Sequence, residues 1–563
     1  MPSSSSSHYL KHIESVAYVL AGWSFLVLFL ESIISHYVSY RSLEIVTALA
    51  NILLLSLTIL NNLFAPDRSS NRNVVVLDVA MLALGTVLFF YQVKFVIFFL
   101  LIRQTWFIVQ YLLFRAFEGR LYKALTNNPP VSLMLSFAFV ILIGTVLLML
   151  PAASVSGRVT PPVDALFTAT SATCVTGLIV YDTGSYFSLF GQLVILALIQ
   201  IGGLGIMTIS TAFALIMGQR LTLKLESVMY SVMGKNTQFD LFQLIKSVVL
   251  VTAIIEISGA ILLFFVFSGS MNPAAAMYSS IFHSISAFCN AGFSLFQDSF
   301  ISLVDNPLLN FTITLLIILG GLGFAVLIDV YRYVIKVDKV RKLNLHSKIV
   351  LSATFILLLI GFVAIYWAES HGTMQGFTIS RRVMSSWFQS VTMRTAGFNT
   401  IDFSTIKPAT VLVSLVLMFI GASPGSTGGG VKTTTFAVLL LSVTSMLRGR
   451  KELSLFNRKI SLSNHREATS LITLAALIVF VVIFILLMVE GKAFDKIIFE
   501  AISAFGTVGL SMGITAQLSI VGKLLITMLM YIGRIGPLTM IYALSLRKVQ
   551  ARISFAEEKI AIG

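Results

Sequence analysis

Charged residues are scarce in this chain of 563 residues. Asp, Glu, Lys and Arg together make up 11% of it, and hydrophobic residues make up 57%. Soluble globular proteins carry about 25% charged residues, so the composition excludes that class. Apolar segments of about 20 residues, the length that a helix needs to cross a bilayer, fill most of the chain. Because lipid-embedded backbone must satisfy its own hydrogen bonds, these segments predict an all-α polytopic membrane protein.

Cysteine and histidine are also rare, with two and seven residues. None has the spacing of a zinc site, and the scattered histidines are interpreted as loop residues. Cys174 and Cys289 are interpreted as small residues packed behind a loop, and the alternative is a disulfide, for which the sequence alone gives little support. One stretch, Gly425 to Thr433, nearly matches a phosphate-binding loop, but the motif needs adjacent Gly-Lys and a preceding strand, and Val431 intervenes. The sequence therefore predicts neither an enzyme nor a covalent cofactor.

Acidic residues are outnumbered by basic ones, 24 to 39, which gives a formal net charge of +15. Most Lys and Arg lie in the short loops between apolar segments, whereas residues 269–306 contain none. Basic loops mark the cytoplasmic side of a membrane protein, so the excess does not indicate nucleic acid binding. We expect these loops and the C-terminus to be cytoplasmic.

A short motif that ends in glycine followed by Leu or Phe occurs four times. The copies are Ser171–Leu178, Ser286–Phe293, Val391–Phe398 and Ser503–Leu510. They recur about every 110 residues, which identifies an internal repeat. A second glycine landmark begins about 25 residues after each copy, roughly one bilayer crossing for a helix. These landmarks begin at Gly202, Gly320, Gly421 and Gly533.

The repeats predict four fused units, each an outer helix, a pore helix, a filter loop and an inner helix around one central pore. The predicted units are residues 126–218, 219–337, 338–448 and 449–548. Residues 1–125 are predicted to be an N-terminal transmembrane extension of about four helices, near 14–37, 43–64, 74–91 and 93–114, and residues 549–563 a cytoplasmic tail. The pore helices are too short to cross the bilayer and are predicted to be re-entrant, which requires that they be buried in protein or face water.

The glycine loops have the character of a cation filter. Such filters replace the hydration shell of an ion with rings of backbone carbonyl oxygens. Glycine lets the backbone approach an axis without a Cβ clash and permits positive φ, and the C-terminal end of the preceding helix carries partial negative charge. We therefore expect the four loops to offer main-chain oxygens to a dehydrated monovalent cation.

The two landmarks, repeated in four units, resemble the Trk/Ktr/HKT superfamily of potassium uptake proteins, in its bacterial Trk/Ktr branch, over about residues 128–548. The resemblance implies a multi-pass protein of the bacterial inner (plasma) membrane, similar to four fused potassium-channel subunits. It also implies that potassium binds at each filter glycine and the two residues before it. These residues are Val175, Thr176, Gly177, Asn290, Ala291, Gly292, Thr395, Ala396, Gly397, Thr507, Val508 and Gly509. In some plant relatives a serine in the first filter loop accompanies sodium permeation. This chain has Gly177 at that position, so the resemblance favours potassium as the permeating ion.

A run of Gly, Ser and Pro interrupts the inner helix of unit three. Such a run does not hold a continuous helix in lipid and is expected to face the pore. In the superfamily the corresponding stretch is an intramembrane loop that obstructs the pore, and an arginine of the fourth unit is proposed as an electrostatic barrier. The implied gate residues are Gly421, Ser423, Pro424, Gly425, Gly428, Gly429, Gly430, Lys432 and Arg534. The alternatives are a simple kink at the run and a structural Arg534 bonded to helix-end carbonyls.

The predicted function is potassium uptake through a gated, channel-like pore. The alternative is a secondary transporter that couples potassium to sodium or protons, whose signature is inverted repeats. The four units begin and end on the same side, which favours the channel. The resemblance further implies a homodimer and a cytosolic nucleotide-binding regulatory ring, so that any nucleotide acts only through that partner.

Four further charged residues carry three expectations. Arg394, beside the third filter glycine, is expected behind the loop and paired with an acid such as Glu500. Glu256, in mid-span, is expected to face a neighbouring helix, the alternative being a role in ion passage. Asp329 is expected to form a salt bridge with nearby basic residues.

Overall fold

The computed structural model of the chain describes residues 129–216, 241–335, 342–450, 452–537 and 539. The predicted N-terminal extension at 1–125, its four apolar segments and the tail at 549–563 lie outside the described residues. The described part is mostly helical, and its two strands, β1 (Ser454–Leu455) and β2 (Arg458–Lys459), form one short antiparallel hairpin. The prediction of an all-α protein is confirmed.

The described helices follow one another in the same order four times: a long outer helix, a short helix, and an inner helix broken at a glycine. The first group is α1 (Pro129–Met149), α2 (Pro162–Thr173), the single turn α3 (Thr183–Tyr186) and α4 (Leu189–Ile216). The second is α5 (Leu241–Phe267), α6 (Pro273–Phe288), α7 (Pro307–Leu322) and α8 (Phe324–Ile335). The third is α9 (Leu345–Glu369), α10 (Ile379–Thr392), α11 (Pro408–Phe419) and α12 (Thr433–Leu447). The fourth is α13 (Leu462–Val489), α14 (Phe494–Gly506) and α15 (Ile520–Ile535). Short 3₁₀ turns lie at Pro151–Ala153, Phe403–Thr405 and Thr515–Gln517.

Several described helices have the length and composition of membrane spans. Ser247–Phe267 of α5, Leu345–Glu369 and Leu462–Val489 are each long and apolar enough to cross a bilayer. The α7–α8 pair passes the same test but bends by 102° at its break. The chain is therefore a multi-pass membrane protein.

Two element boundaries differ from the predicted ones for local reasons. α6 begins at Pro273 instead of Tyr278, because the side chain of Asn272 accepts the Ala275 N–H at 2.8 Å and proline suits the first helical position. α15 ends at Ile535, inside the predicted span 519–546, because Gly536 adopts a φ of 93°, and the predicted end at 546 lies outside the described residues. A hydropathy profile shows neither the side-chain cap at Asn272 nor the backbone conformation of Gly536.

The four groups of helices close into a ring. Each inner helix packs against the short helix of the next group: α4 against α6, α7 against α10, α11 against α14, and finally α15 back against α2. This closure brings the C-terminal ends of the four short helices together. It is the reason why loops that are about 110 residues apart in sequence meet in space.

A buried ion pair lies where the ring closes. Lys523 Nζ of α15 lies 2.6 Å from Asp164 Oδ1 of α2, and the two side chains are 13% and 10% exposed. The Tyr181 hydroxyl donates to the other Asp164 oxygen at 2.9 Å. Burial, together with this bond, raises the pKa of Tyr181 to about 12, so the phenol keeps its proton and remains a donor.

Candidate ion pathway

The four repeated glycines meet at one constriction. Gly177, Gly292, Gly397 and Gly509 have φ values of 93°, 71°, 80° and 93°. A Cβ built on each would approach the carbonyl oxygen of the residue before the glycine in the next unit. The distances are 2.5 Å from Gly177 to Ala291 O, 2.7 Å from Gly292 to Ala396 O and 2.5 Å from Gly397 to Val508 O, and Gly509 closes the circle against Thr176 O. Only glycine fits these four positions, both for its φ and for its missing side chain.

The residue two positions before each glycine shares a second, rarer feature. Val175, Asn290, Thr395 and Thr507 have φ values of 58°, 59°, 69° and 50°. Positive φ is uncommon for non-glycine residues and is worst for a β-branched side chain, which three of the four carry. Left-handed residues that alternate with other backbone conformations turn successive carbonyl groups toward the same side. The strain is therefore tied to a specific orientation of the carbonyls.

The N–H groups of these loops form hydrogen bonds on the side away from the ring. The residue before each glycine donates to a carbonyl near the end of its own short helix. These bonds are Thr176 to Ser171 at 2.8 Å, Ala291 to Ser286 at 2.7 Å, Ala396 to Thr392 at 2.9 Å and Val508 to Ser503 at 2.8 Å. Within the described residues, none of the carbonyl oxygens at the two positions before the glycines accepts a hydrogen bond. These oxygens are thus unpaired within the described residues, although buried carbonyl groups are normally hydrogen-bonded.

A vestibule lies on one side of the ring. It has a volume of about 370 Å³ and is lined by all four glycines together with polar side chains such as Ser294, Asn399 and Ser511. One acidic residue, Asp298, is part of its wall. The glycine ring is therefore reached directly from this cavity.

The second glycine landmark breaks every inner helix. The last glycine of each landmark, Gly205, Gly323, Gly425 and Gly536, has a φ between 68° and 93°. The sequence predicted an interruption only in unit three, so the breaks in the other three units are a correction. Gly323 has a φ of 90° and a ψ of 144°, far from helical values, so the helix cannot continue through it, which accounts for the bend between α7 and α8. The shared final glycine of each landmark was the signal for this feature.

Residues 420–432, which we call the inner loop, form the largest of these breaks. The loop closes on itself where the Gly421 N–H donates to Val431 O at 2.8 Å. It is also bonded to neighbouring units through three N–H groups. Ser423 donates to Gly321 O at 3.1 Å, Thr427 to Gly320 O at 3.2 Å and Gly430 to Gly533 O at 3.2 Å.

The inner loop lies directly against two filter loops. The Gly429 N–H donates to the Thr507 hydroxyl at 3.0 Å, and a Cβ on Gly428 would collide with the Thr395 hydroxyl. Lys432, at the end of the loop, donates to Gly428 O at 2.7 Å. The predicted gate residues of unit three therefore sit immediately next to the glycine ring, on the side of the inner-helix breaks.

Arg534 holds the inner loop from unit four. Its side chain is 3% exposed. Its two terminal nitrogens donate to the carbonyl oxygens of Thr427 in the inner loop and of Gly202 in unit one. The arginine therefore connects three units at one depth, and its charge lies beside the inner loop.

Arg394 lies behind the third filter loop, as expected, but Glu500 is not its partner. Arg394 donates to the Gly421 carbonyl oxygen at 3.4 Å. Glu500 accepts hydrogen bonds from Ser511, at 2.8 Å, and from Thr515 instead. The predicted pairing is wrong because Glu500 faces the loop that follows its own filter glycine.

The other singled-out charges have local partners. Glu256 accepts from Gln200 Nε2 of α4 at 3.2 Å and faces Cys289, which confirms the neighbouring-helix prediction. Asp329 caps the start of α9 by accepting from Asn344 N at 3.0 Å and from Ser347 Oγ at 2.6 Å. Both cysteines are buried, which confirms their interpretation as small packed residues, and both are free thiols, so the disulfide alternative is wrong.

His283 is a residue that the sequence interpretation missed. It is fully buried in α6 rather than exposed in a loop. Its Nε2 accepts the Leu295 N–H at 3.2 Å, and its Nδ1 lies 2.7 Å from Ser279 O. It thus fixes the segment that follows Gly292. The apolar periodicity of α6 around His283 was the available signal.

Comparison with known proteins assigns the chain to a family. The family model for TrkH, a cation transport protein, matches residues 95–554. The chain belongs to the TrkH family. It is 41% identical to Ktr system potassium uptake protein B of Vibrio alginolyticus, over 79% of this chain and 97% of that protein.

Other proteins to which the chain is similar give the same picture. The chain is 40% identical to Ktr system potassium uptake protein B of Bacillus subtilis, over 79% of this chain and 99% of that protein. It is 38% identical to the potassium/sodium uptake protein NtpJ of Enterococcus hirae, over 77% and 97%. The crystal structure of the potassium transporter TrkH from Vibrio parahaemolyticus matches with a TM-score of 0.57 at 18% identity, over 90% of this chain and 99% of that one. This last match supports the fold.

Proposed function

We propose that this protein mediates potassium uptake across the plasma membrane through the glycine ring, which acts as a channel-like selectivity filter. The observation that carries the proposal is the closed circle in which each filter glycine faces the carbonyl oxygen of the next unit. Relatives at 40% and 41% identity over nearly their whole length are potassium uptake proteins. Together these observations favour potassium as the cargo.

The ring suits a weakly hydrated monovalent cation. The oxygens at the two positions before each glycine carry only partial charge, and they would replace the hydration shell of the ion without trapping it. The partly negative C-terminal ends of α2, α6, α10 and α14 point toward the same centre and add to its negative potential. The filter hypothesis therefore rests on twelve residues: Val175, Thr176, Gly177, Asn290, Ala291, Gly292, Thr395, Ala396, Gly397, Thr507, Val508 and Gly509.

The inner loop is the proposed gate. It lies against the Thr395 and Thr507 hydroxyls, so an ion that leaves the ring meets it next. Arg534 ties the loop to unit one and places a fixed positive charge there, which opposes cation passage in a medium of low dielectric constant. Opening requires that the loop leave these contacts.

Regulation by partners is part of the same proposal. A homodimer and a cytosolic nucleotide-binding ring would supply the control that the inner loop needs, and nucleotide would act only through the ring. The basic unit-to-unit loops are its proposed docking surface. Blue native electrophoresis of the purified protein with and without such a ring tests both assemblies, and a monomer that ignores the ring contradicts them.

A second candidate is a transporter that couples potassium to another cation. It is favoured by the 38% identical relative described as a potassium/sodium uptake protein. Planar-bilayer recording separates the candidates, because a channel gives unitary potassium currents without sodium. Potassium flux that depends strictly on sodium or on a proton gradient supports the coupled transporter instead.

The deciding experiment is growth of potassium-uptake-deficient cells on limiting potassium. We expect the wild-type protein, expressed with its regulatory partner, to restore growth. Gly177→Ser adds a side chain toward Ala291 O at a φ of 93° and is expected to lower potassium-dependent growth and to admit sodium. Absence of rescue by an expressed wild-type protein contradicts the potassium assignment.

A further inference from the structure

Arg394 is a buried charge to which the proposed pore assigns no role. Its side chain is 7% exposed and it directly follows the C-cap of α10. It forms no ion pair with any described residue, and its one side-chain hydrogen bond goes to the Gly421 carbonyl oxygen at 3.4 Å. An uncompensated charge inside a membrane protein is costly and usually serves function. The position of Gly421 indicates what that function is.

Gly421 lies at the neck of the inner loop, the point where both ends of the loop meet. Its N–H donates to Val431 O at 2.8 Å, and the Val431 N–H donates to Phe419 O at 3.3 Å. A Cβ on Gly421 would collide with the Gly429 carbonyl, so the neck is tightly closed. A loop closed in this way moves as one body. Any group that holds the neck therefore restrains the whole loop.

The Arg394 side chain also lines a small cavity beside the inner loop. This cavity has a volume of about 10 Å³, and its wall includes Thr354, Gly321 and Ala422. Arg394 Nε and the Thr354 hydroxyl are both buried without a hydrogen-bond partner. A space of this size holds one water at most. Within the described residues, the one hydrogen bond that orients the guanidinium therefore goes to the inner loop.

Two arginines hold the inner loop at separate points. Arg534 binds the loop at Thr427 from unit four, whereas Arg394 binds the neck from the filter loop of unit three. We propose that Arg394 is a second latch of the gate, which keeps the neck closed through the Gly421 carbonyl and lets go when the loop leaves the pore. The inference rests on the proposed function of the inner loop and adds a residue of the filter loop to the gate.

The test compares potassium flux in proteoliposomes that contain the full-length protein without its regulatory partner. Arg394→Gln removes the charge, and the loss of a charge-assisted hydrogen bond predicts about a tenfold rise in unstimulated flux. Arg394→Lys keeps the charge but loses the planar fork and should raise the flux less. Thr354→Val is the matched control, because it changes another residue of the same cavity wall and leaves the bond between Arg394 and Gly421 in place, and its flux should stay at the wild-type level.

The ratio of potassium to sodium permeability separates a latch from a support of the filter. A latch leaves the ratio unchanged while flux rises. Unchanged flux in Arg394→Gln, or a fall in selectivity, overturns the inference. If the Gln variant does not fold, as judged by gel filtration, Arg394→Lys is judged by the same two criteria. A wild type that passes no potassium under any condition contradicts the proposed function, and the latch with it, whereas a conducting wild type with an unaffected variant contradicts the latch alone.

Discussion

The glycine ring and the region of the inner-helix breaks differ in how alike their four units are. In the ring itself the four units are alike: each has a left-handed residue, then a residue with ordinary φ, then a glycine of positive φ. On the side of the inner-helix breaks, all four units again have a glycine of positive φ, but only unit three expands the break into the loop at 420–432. Coordination of an ion on an axis needs equivalent oxygens from every side. By contrast, a single structural element from one unit is enough to obstruct the same axis.

The largest effect is expected at the symmetric ring. Gly397→Ala places a methyl group 2.5 Å from Val508 O at a φ of 80°. Because backbone contacts on both sides leave it no room, potassium flux in proteoliposomes should fall at least about a hundredfold.

The matched control for this prediction is Gly376→Ala. Gly376 has a similar φ of 92°, but a Cβ there meets nothing within 4 Å. Its variant carries the backbone strain alone and should keep most of the flux. Equal losses in the two variants would mean that strain, and not closeness to the ring, determines the result.

A rise in potassium flux, instead of a fall, is expected for a change beside the inner loop. Arg534→Gln removes the charge and the fork that joins Thr427 O to Gly202 O. Loss of these charge-assisted bonds should free the inner loop and raise unstimulated flux about tenfold. The measurement is potassium efflux without the regulatory partner. Flux at or below the wild-type level would identify Arg534 as a structural charge bonded to helix-end carbonyls.

The smallest effect is expected at a break that has no loop. Gly205→Ala adds a methyl group that has no described atom within 4 Å, at a φ of 89°. It should cost about 1–3 kcal/mol of stability, because a φ of 89° with a ψ of 176° is a conformation that essentially only glycine adopts, and this cost is seen as a lower thermal midpoint with unchanged flux. Gly323→Ala, by contrast, meets Pro424 O of the inner loop at 2.7 Å and should alter flux. Identical flux in both variants would show that the inner loop is insensitive to its neighbours.

The spacing of motifs along the sequence predicted a good part of this architecture. The glycine motifs, the short helices and the interrupted helix of unit three are all visible as local patterns, and their positions agree with the described elements. The breaks at Gly205, Gly323 and Gly536 were missed because a single glycine in an apolar run does not interrupt hydropathy. The Arg394–Glu500 pairing failed for another reason. Two charges in one sequence do not reveal which of them face each other, and Glu500 is satisfied by Ser511 and Thr515.

The sequence by itself determined that the chain lies in a membrane, that it consists of similar units and that glycines stand at corresponding places in each. These properties depend on composition and periodicity, which can be read from short stretches of the sequence. Only the tertiary structure decided that α15 packs back against α2, that each glycine faces the carbonyl of the next unit, and that both Arg394 and Arg534 hold the inner loop. Those contacts join residues that are far apart in sequence. They exist only once the ring has closed.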